Sequence, residues 1–130
     1  MTEKVKVISK GLKALFLIHG IFSLILGAVL VFVPYTWAEL TKYGSIDPNP
    51  MRLIGAFTLA LVVKDWLGFI AKEWSEVRII VILEVIYTLF GGLASLYVLI
   101  FVAASSAVLT NVIIFALFFC AWTWLYMKHK

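Results

Sequence analysis

Four apolar runs constrain this chain more than any other feature of its sequence. They extend from about residue 12 to 33, 51 to 71, 79 to 101 and 108 to 127. An α-helix rises about 1.5 Å per residue, so about 20 residues cross the hydrocarbon core of a bilayer. None of the runs alternates apolar and polar residues as membrane strands do. The sequence therefore predicts an all-α fold: a four-helix transmembrane bundle in one domain covering residues 1–130.

Composition supports a lipid environment. The chain is 64% hydrophobic and 14% charged, whereas a soluble domain is about half apolar and about a quarter charged. A small soluble domain leaves much of its surface in water, so lipid must cover the apolar surface here. The net charge of +4 sits beside the apolar runs, so we expect the lipid bilayer as partner and no nucleic acid. The single cysteine, Cys120, excludes a disulfide within the chain.

The connections between the runs carry the turn signals. Pro34 should end the first helix, and Pro48 and Pro50 should mark the start of the second. The long connection between them is expected to hold a short interfacial helix over residues 36–43. Residues 72–78 form a polar link that makes the second and third helices antiparallel, and residues 103–106 form an uncharged turn.

Lysine and arginine are distributed unevenly between the two ends of the predicted bundle. One end holds only Lys42 and Arg52. The other end holds Lys4, Lys6, Lys10, Lys13, Lys72, Arg78, Lys128 and Lys130. Basic residues favour the cytoplasmic side of a membrane. We therefore expect an integral protein of a prokaryotic plasma membrane with both termini in the cytoplasm.

Ionisable residues inside the spans are the candidate site, because lipid makes them costly. They are His19, Lys64, Asp65 and Glu84, and all lie roughly 8 to 10 Å below the cytoplasmic interface at about 1.5 Å per residue. One interpretation is structural: Glu84 pairs with Lys64 and Asp65 with His19, fixing helix register. The other is a buried polar layer that binds a ligand or exchanges protons, with Glu84 as first candidate and His19 as second.

Other residues have simpler interpretations. Arg52, at the opposite end of the second helix, is expected to anchor that helix or to pair with Asp47. Small residues four apart predict close helix packing; the pairs are Ser23 and Gly27, Ala56 and Ala60, Gly91 and Ser95, and Ala116 and Cys120. These faces serve packing within the bundle or a homodimer.

A weak repeat relates the two halves of the chain at an offset of 65 residues. Residues 19–24 align with residues 84–89, and Gly27 aligns with Gly92. In this alignment His19 corresponds to Glu84. A directly repeated two-helix unit predicts a pseudo-twofold axis along the membrane normal; chance similarity among apolar helices is the alternative.

The segment from Asp47 to Ala56, followed by Leu59, Ala60 and Leu61, resembles the second helix of small four-helix membrane proteins of the DoxX-like type. An Arg followed by a Gly pair recurs there, and Ala56 replaces the second Gly here. The resemblance implies a four-helix bundle and, for some members, a role as a small subunit of quinone-linked oxidoreductases. It carries over no catalytic residue.

Three functions therefore stand as hypotheses. The first is binding or movement of a small substrate, ion or lipid through the buried polar layer. The second is an accessory subunit of a quinone-linked membrane redox complex, and either could form a homo-oligomer or a larger membrane complex. The third, an intramembrane enzyme, is least favoured. The sequence has no phosphate-binding, dinucleotide, zinc-protease or serine-hydrolase motif, so we expect no cofactor, no metal and no catalytic residue.

Overall fold

A computed structural model describes residues 6–42, 47–102 and 104–130 of the chain. These residues form five α-helices and no named strand. The helices are α1 Lys10–Phe32, α2 Pro34–Thr41, α3 Pro48–Ile70, α4 Trp74–Phe101 and α5 Ser106–His129. All but α2 are long and apolar enough to cross a membrane. The all-helical prediction is confirmed. Each of the four predicted apolar runs overlaps one of the four long helices.

Side-chain caps determine where three of these helices begin. The Ser9 hydroxyl accepts a hydrogen bond from the amide of Leu12 at the start of α1. Ser105 caps α5 in the same way, at 3.2 Å from the amide of Val108. Asp47 caps α3 through its carboxylate. Such caps satisfy amide groups that have no partner within the helix.

The bounds of α2 and α4 differ from the predicted connections. The predicted interfacial helix is present as α2, although Tyr43 at its predicted end lies outside the described residues, as do Lys4 and Ala103. The predicted polar link over residues 72–78 is too long, because α4 already begins at Trp74. A capping box between Glu73 and Glu76 starts the helix there. Polar residues thus form the first turn of α4.

Glycines allow α1 and α3 to pack closely. A Cβ added at Gly55 would lie 2.9 Å from the carbonyl oxygen of Gly27, so the two backbones meet at this crossing. The predicted small-residue face of Ser23 and Gly27 is buried. For Ala56 and Ala60 the interpretation as a packing face within the bundle is wrong, because both residues are exposed in the single chain; the homodimer alternative stays a prediction.

The same correction applies to α5. Ala116 and Cys120 are exposed rather than packed. Phe115 instead fills the space beside Gly91 on α4, where an added Cβ would lie 2.4 Å from its ring. Spacing in the sequence identified small residues but did not fix which face of the helix they occupy.

We expect Gly55→Ala to lower the free energy of unfolding by about 1–3 kcal/mol, the usual cost of overpacking a close interface. The added methyl group would meet backbone, which moves less readily than a side chain. The measurement is reversible unfolding in mixed micelles. Ala56→Leu is the matched control, because it adds volume on the exposed face of the same helix. Equal stability of the two variants would contradict the close crossing.

The two ends of the bundle differ in character. Residues 6–8 pair with the α3–α4 link, and the amide of Trp74 donates to the carbonyl of Lys6 at 2.8 Å. We call this end, where the described part of the chain begins at Lys6 and ends at Lys130, the terminal end, and the opposite end the α2 end. An apolar plug fills the terminal end; its residues are Ile8, Leu12, Leu15, Phe16, Trp74, Val77, Val81, Trp122 and Leu125.

His129 closes the terminal end. Its Nδ1 atom donates to the carbonyl of Leu125 at 2.8 Å, and its Nε2 atom accepts from the amide of Ser9 at 3.1 Å. These two contacts require the neutral ring with its proton on Nδ1. The ring also stacks on Trp74 with centroids 5.2 Å apart. His129 therefore ties the end of α5 to the start of α1, a role that its place near the C-terminus did not reveal.

Candidate functional site: a buried ionisable cluster

Three helices bring the four predicted ionisable residues together. His19 comes from α1, Lys64 and Asp65 from α3, and Glu84 from α4. The exposed fractions of His19, Asp65 and Glu84 are 5%, 1% and 2%, so all three residues are buried. We call these four residues the ionisable cluster. The sequence predicted the same depth in the membrane for all four residues, and they lie together in the structure.

Glycine on α1 makes room for the cluster. A Cβ added at Gly20 would lie 3.1 Å from the Cβ atom of Asp65. On α3, Gly68 receives the ring of Phe16, whose nearest carbon would be 2.5 Å from an added Cβ. These contacts bring α3 close to α1 on both sides of Asp65. Neither glycine was singled out in the sequence, although Gly20 directly follows His19 and Gly68 lies three residues after Asp65.

Both predicted ion pairs are present. The Nδ1 atom of His19 lies 2.9 Å from Oδ2 of Asp65. The Lys64 ammonium group lies 3.0 Å from Oδ1 of Asp65 and also hydrogen-bonds Oε1 of Glu84. Lys64 thus bridges the two carboxylates, and its side chain turns into the bundle.

One contact in the cluster is incomplete. The Nε2 atom of His19 lies 3.8 Å from Oε2 of Glu84, which is too long for a direct hydrogen bond. Because Nδ1 faces a carboxylate, it carries the proton of a neutral ring, and Nε2 then has only a lone pair. Oε2 of Glu84 is buried and has no hydrogen-bond partner among the described residues. Two acceptors therefore face each other across this gap.

Aromatic rings of α5 enclose the other side of His19. The ring of Phe118 meets it edge-on with centroids 4.8 Å apart, and Trp122 does so at 5.9 Å. The ionisable groups facing His19 thus come from α3 and α4, whereas α5 contributes apolar rings. A low-dielectric wall strengthens every electrostatic interaction inside the cluster.

The charges of the cluster do not balance while His19 is neutral. Asp65 and Glu84 carry two negative charges, and Lys64 carries one positive charge, which leaves a net charge of −1. A buried charge without compensation is costly in an apolar medium. One additional proton would neutralise the cluster, and the gap between His19 and Glu84 is the place where it would bridge two acceptors.

No protein-family model, curated protein or solved structure matches this chain. The resemblance of its second apolar run to DoxX-like proteins therefore stays a prediction. What the site can do has to be argued from its own geometry.

Besides a proton, the geometry of the cluster suggests a metal ion as a possible ligand. His19, Asp65 and Glu84 each offer one ligand atom, and these atoms lie within 4.8 Å of one another. A histidine with two carboxylates is a ligand set that transition metals accept. The Lys64 ammonium group, however, already contacts both carboxylates. It supplies positive charge where a metal ion would need to bind, so the arrangement favours a proton.

Arg52 lies away from the cluster, near the α2 end. Its Nε atom donates to the carbonyl of Val31 at 3.3 Å, so it ties the start of α3 to the end of α1. Asp47, its predicted alternative partner, accepts from the amide of Asn49 instead. Arg52 therefore links α3 to α1. Its role as a membrane anchor stays a prediction.

Proposed function

We propose that this chain is a small integral membrane protein whose ionisable cluster binds a proton from one side of the bilayer and releases it to the other, as a proton carrier that is open to one side at a time. The observation that carries the proposal is the gap between His19 and Glu84, where Nε2 lies 3.8 Å from the buried Oε2, which has no hydrogen-bond partner among the described residues. Buried ionisable groups in membranes are costly, and those that persist commonly serve proton or ion pathways.

We also propose that the termini lie in the cytoplasm. The described part of the terminal end carries most of the basic residues: Lys6, Lys10, Lys13, Lys72, Arg78, Lys128 and Lys130. The described part of the α2 end carries Lys42 and Arg52. This asymmetry is the one that orients membrane proteins in a prokaryotic plasma membrane.

Each residue of the ionisable cluster would have its own role in binding and releasing the proton. Asp65 accepts from Nδ1 of His19 and thereby fixes which ring nitrogen is free. An incoming proton binds Nε2 of His19 or Oε2 of Glu84, and in either state it forms a hydrogen bond between the two groups. Lys64 holds both carboxylates in place throughout. Release of the same proton restores the starting state, so the cycle needs no other reactant.

We expect Glu84→Gln to abolish proton movement while the bundle remains folded. The amide has the size of the carboxylate but cannot take up the proton. The measurement is the decay of a pH gradient across liposomes that contain the protein and an entrapped pH-sensitive dye. Glu39→Gln is the matched control, since Glu39 lies on the exposed face of α2. A flux that is absent from the unmodified protein, or equal in both variants, would refute the proposal.

A second candidate function, an accessory subunit of a quinone-linked redox complex, is favoured by a groove between α1 and α3. It encloses about 200 Å³, is lined mainly by apolar residues such as Phe16, Leu24 and Trp66, and has Asp65 among its lining residues. An amphipathic ring fits such a surface. Native mass spectrometry of the protein extracted from its own membrane tests this: a bound quinone and a larger partner support it, and a lipid-only monomer opposes it.

A further inference from the structure

We infer that protons reach His19 through a water-filled path from the α2 end, and that the apolar plug closes the terminal end. This inference rests on the proposed function for its ligand, but the path itself is a separate geometric claim. It also restricts the ligand to a proton or a cation small enough to travel with single water molecules.

The first part of the path is a vestibule at the α2 end. It encloses about 380 Å³ between α2 and the start of α5. Thr41 of α2 and Ser106, Thr110 and Asn111 of α5 contribute polar side chains to its lining. A cavity of this volume holds several water molecules, each of which takes about 30 Å³ in the liquid.

The second part is a chamber directly above the ionisable cluster. It encloses about 70 Å³ and is lined by His19 together with apolar and polar side chains. The polar lining residues are His19, Ser23, Thr58, Tyr87, Thr88 and Asn111. At about 30 Å³ per water, the chamber holds roughly two molecules with polar partners.

The two cavities adjoin. Four residues line both of them: Phe22, Leu26, Asn111 and Ile114. Asn111 is the polar member of this shared ring, because the other three are apolar. We therefore place the narrowest point of the path at Asn111.

The opposite direction is closed. Below His19 the rings of Phe16 and Trp122 pack edge-on with centroids 5.0 Å apart, and both are fully buried. Val77 and Val81 of α4 complete this layer with 1% and 0% exposure. The indole Nε1 of Trp122 is a polar atom in this layer; it is buried and has no hydrogen-bond partner among the described residues, so close packing of the side chains is what closes this direction. The same cluster is therefore open to one end of the bundle and sealed from the other.

Thiol labelling tests the path without any transport assay. In a Cys120→Ser background, Asn111→Cys is expected to react from the vestibule with a small, charged, membrane-impermeant methanethiosulfonate, because only a hydrated thiol ionises readily. Two reference thiols define the faces: Glu39→Cys at the α2 end and Lys130→Cys at the terminal end. Asn111→Cys should be labelled from the face that labels Glu39→Cys. Leu117→Cys, exposed on the apolar surface of α5, should remain unlabelled.

Hydroxyl-radical footprinting of the unmodified protein provides a second measurement that needs no variant. We expect oxidation of Phe22 and Ile114, which line both cavities, and protection of Phe16 and Trp122. Protection of Phe22 and Ile114, or labelling of Asn111→Cys from the Lys130→Cys face, would overturn the path. If labelling follows the path but the unmodified protein moves no protons, the proposed function fails and the path stands. If protons move through Glu84 while Asn111→Cys stays unreactive, the path fails and the function stands.

Discussion

Lys64→Met is expected to destabilise the bundle by about 3–5 kcal/mol, the cost of leaving a buried charge without its partner. Methionine keeps much of the length and apolar stem of lysine, so lost packing contributes little. The remaining cluster would hold two carboxylates and a neutral imidazole, a net charge of −2. The measurement is the free energy of unfolding in mixed micelles.

A second substitution separates charge from packing. Lys64→Met combined with Glu84→Gln removes one charge of each sign and returns the cluster to the net charge it has in the unmodified protein. We expect the double variant to recover most of the lost stability, since replacing a buried ion pair by neutral groups is often nearly neutral. It should still move no protons. A double variant as unstable as Lys64→Met would show that the ion pair is not what stabilises this region.

Trp122→Ala is expected to lower the free energy of unfolding by about 3–5 kcal/mol, the usual cost of truncating a fully buried large side chain. Trp122 is the largest fully buried side chain described and contacts both Phe16 and His19. Its removal should also open the plug. In hydroxyl-radical footprinting of this variant, Phe16, which is fully buried in the unmodified protein, should then be oxidised.

Trp124→Ala is the matched control for that experiment. It removes the same side chain two residues further along α5, where the indole is 63% exposed. We expect little loss of stability and no oxidation of Phe16. If both tryptophan variants have the same effect, the plug does not seal the terminal end.

Hydrophobicity was sufficient to predict the long helices, because a span of about 20 apolar residues is set by bilayer thickness. It was insufficient at the start of α4, where Trp74 to Arg78 are helical although mostly polar. There the capping box of Glu73 and Glu76 decides the boundary. Apolar content identifies what crosses lipid, whereas local hydrogen bonds determine where a helix begins.

The members of the site were predictable because depth along a helix follows from residue count. His19, Lys64, Asp65 and Glu84 were chosen by depth alone, and the structure brings all of them together. Helix rotation was not predictable in the same way. In lipid, an apolar residue fits equally well against hydrocarbon or another helix, so the sequence could not distinguish exposed Ala56 from buried Gly55.

Because the rotation of each helix about its own axis could not be predicted, the residues that surround the site could not be predicted either. Phe118 and Trp122 are two of many aromatic residues in α5, and only their contact with His19 gives them a role. Asn111 similarly gains its place from two adjoining cavities. His129 stands next to the last residue of the chain, yet the structure buries it against Trp74.

Infrared difference spectroscopy across a pH step, on the unmodified protein in lipid, measures most directly whether the cluster shares one exchangeable proton. A proton between Nε2 of His19 and Oε2 of Glu84 would be hydrogen-bonded by both groups, so its uptake should be visible at both. We predict that the ring bands of His19 and the carboxyl bands of Glu84, assigned by isotope labelling, change together as one proton is taken up. Both changes should vanish in Glu84→Gln. Infrared bands that do not change across the pH step would contradict a shared proton. So would His19 and Glu84 bands that change independently, at separate pH values.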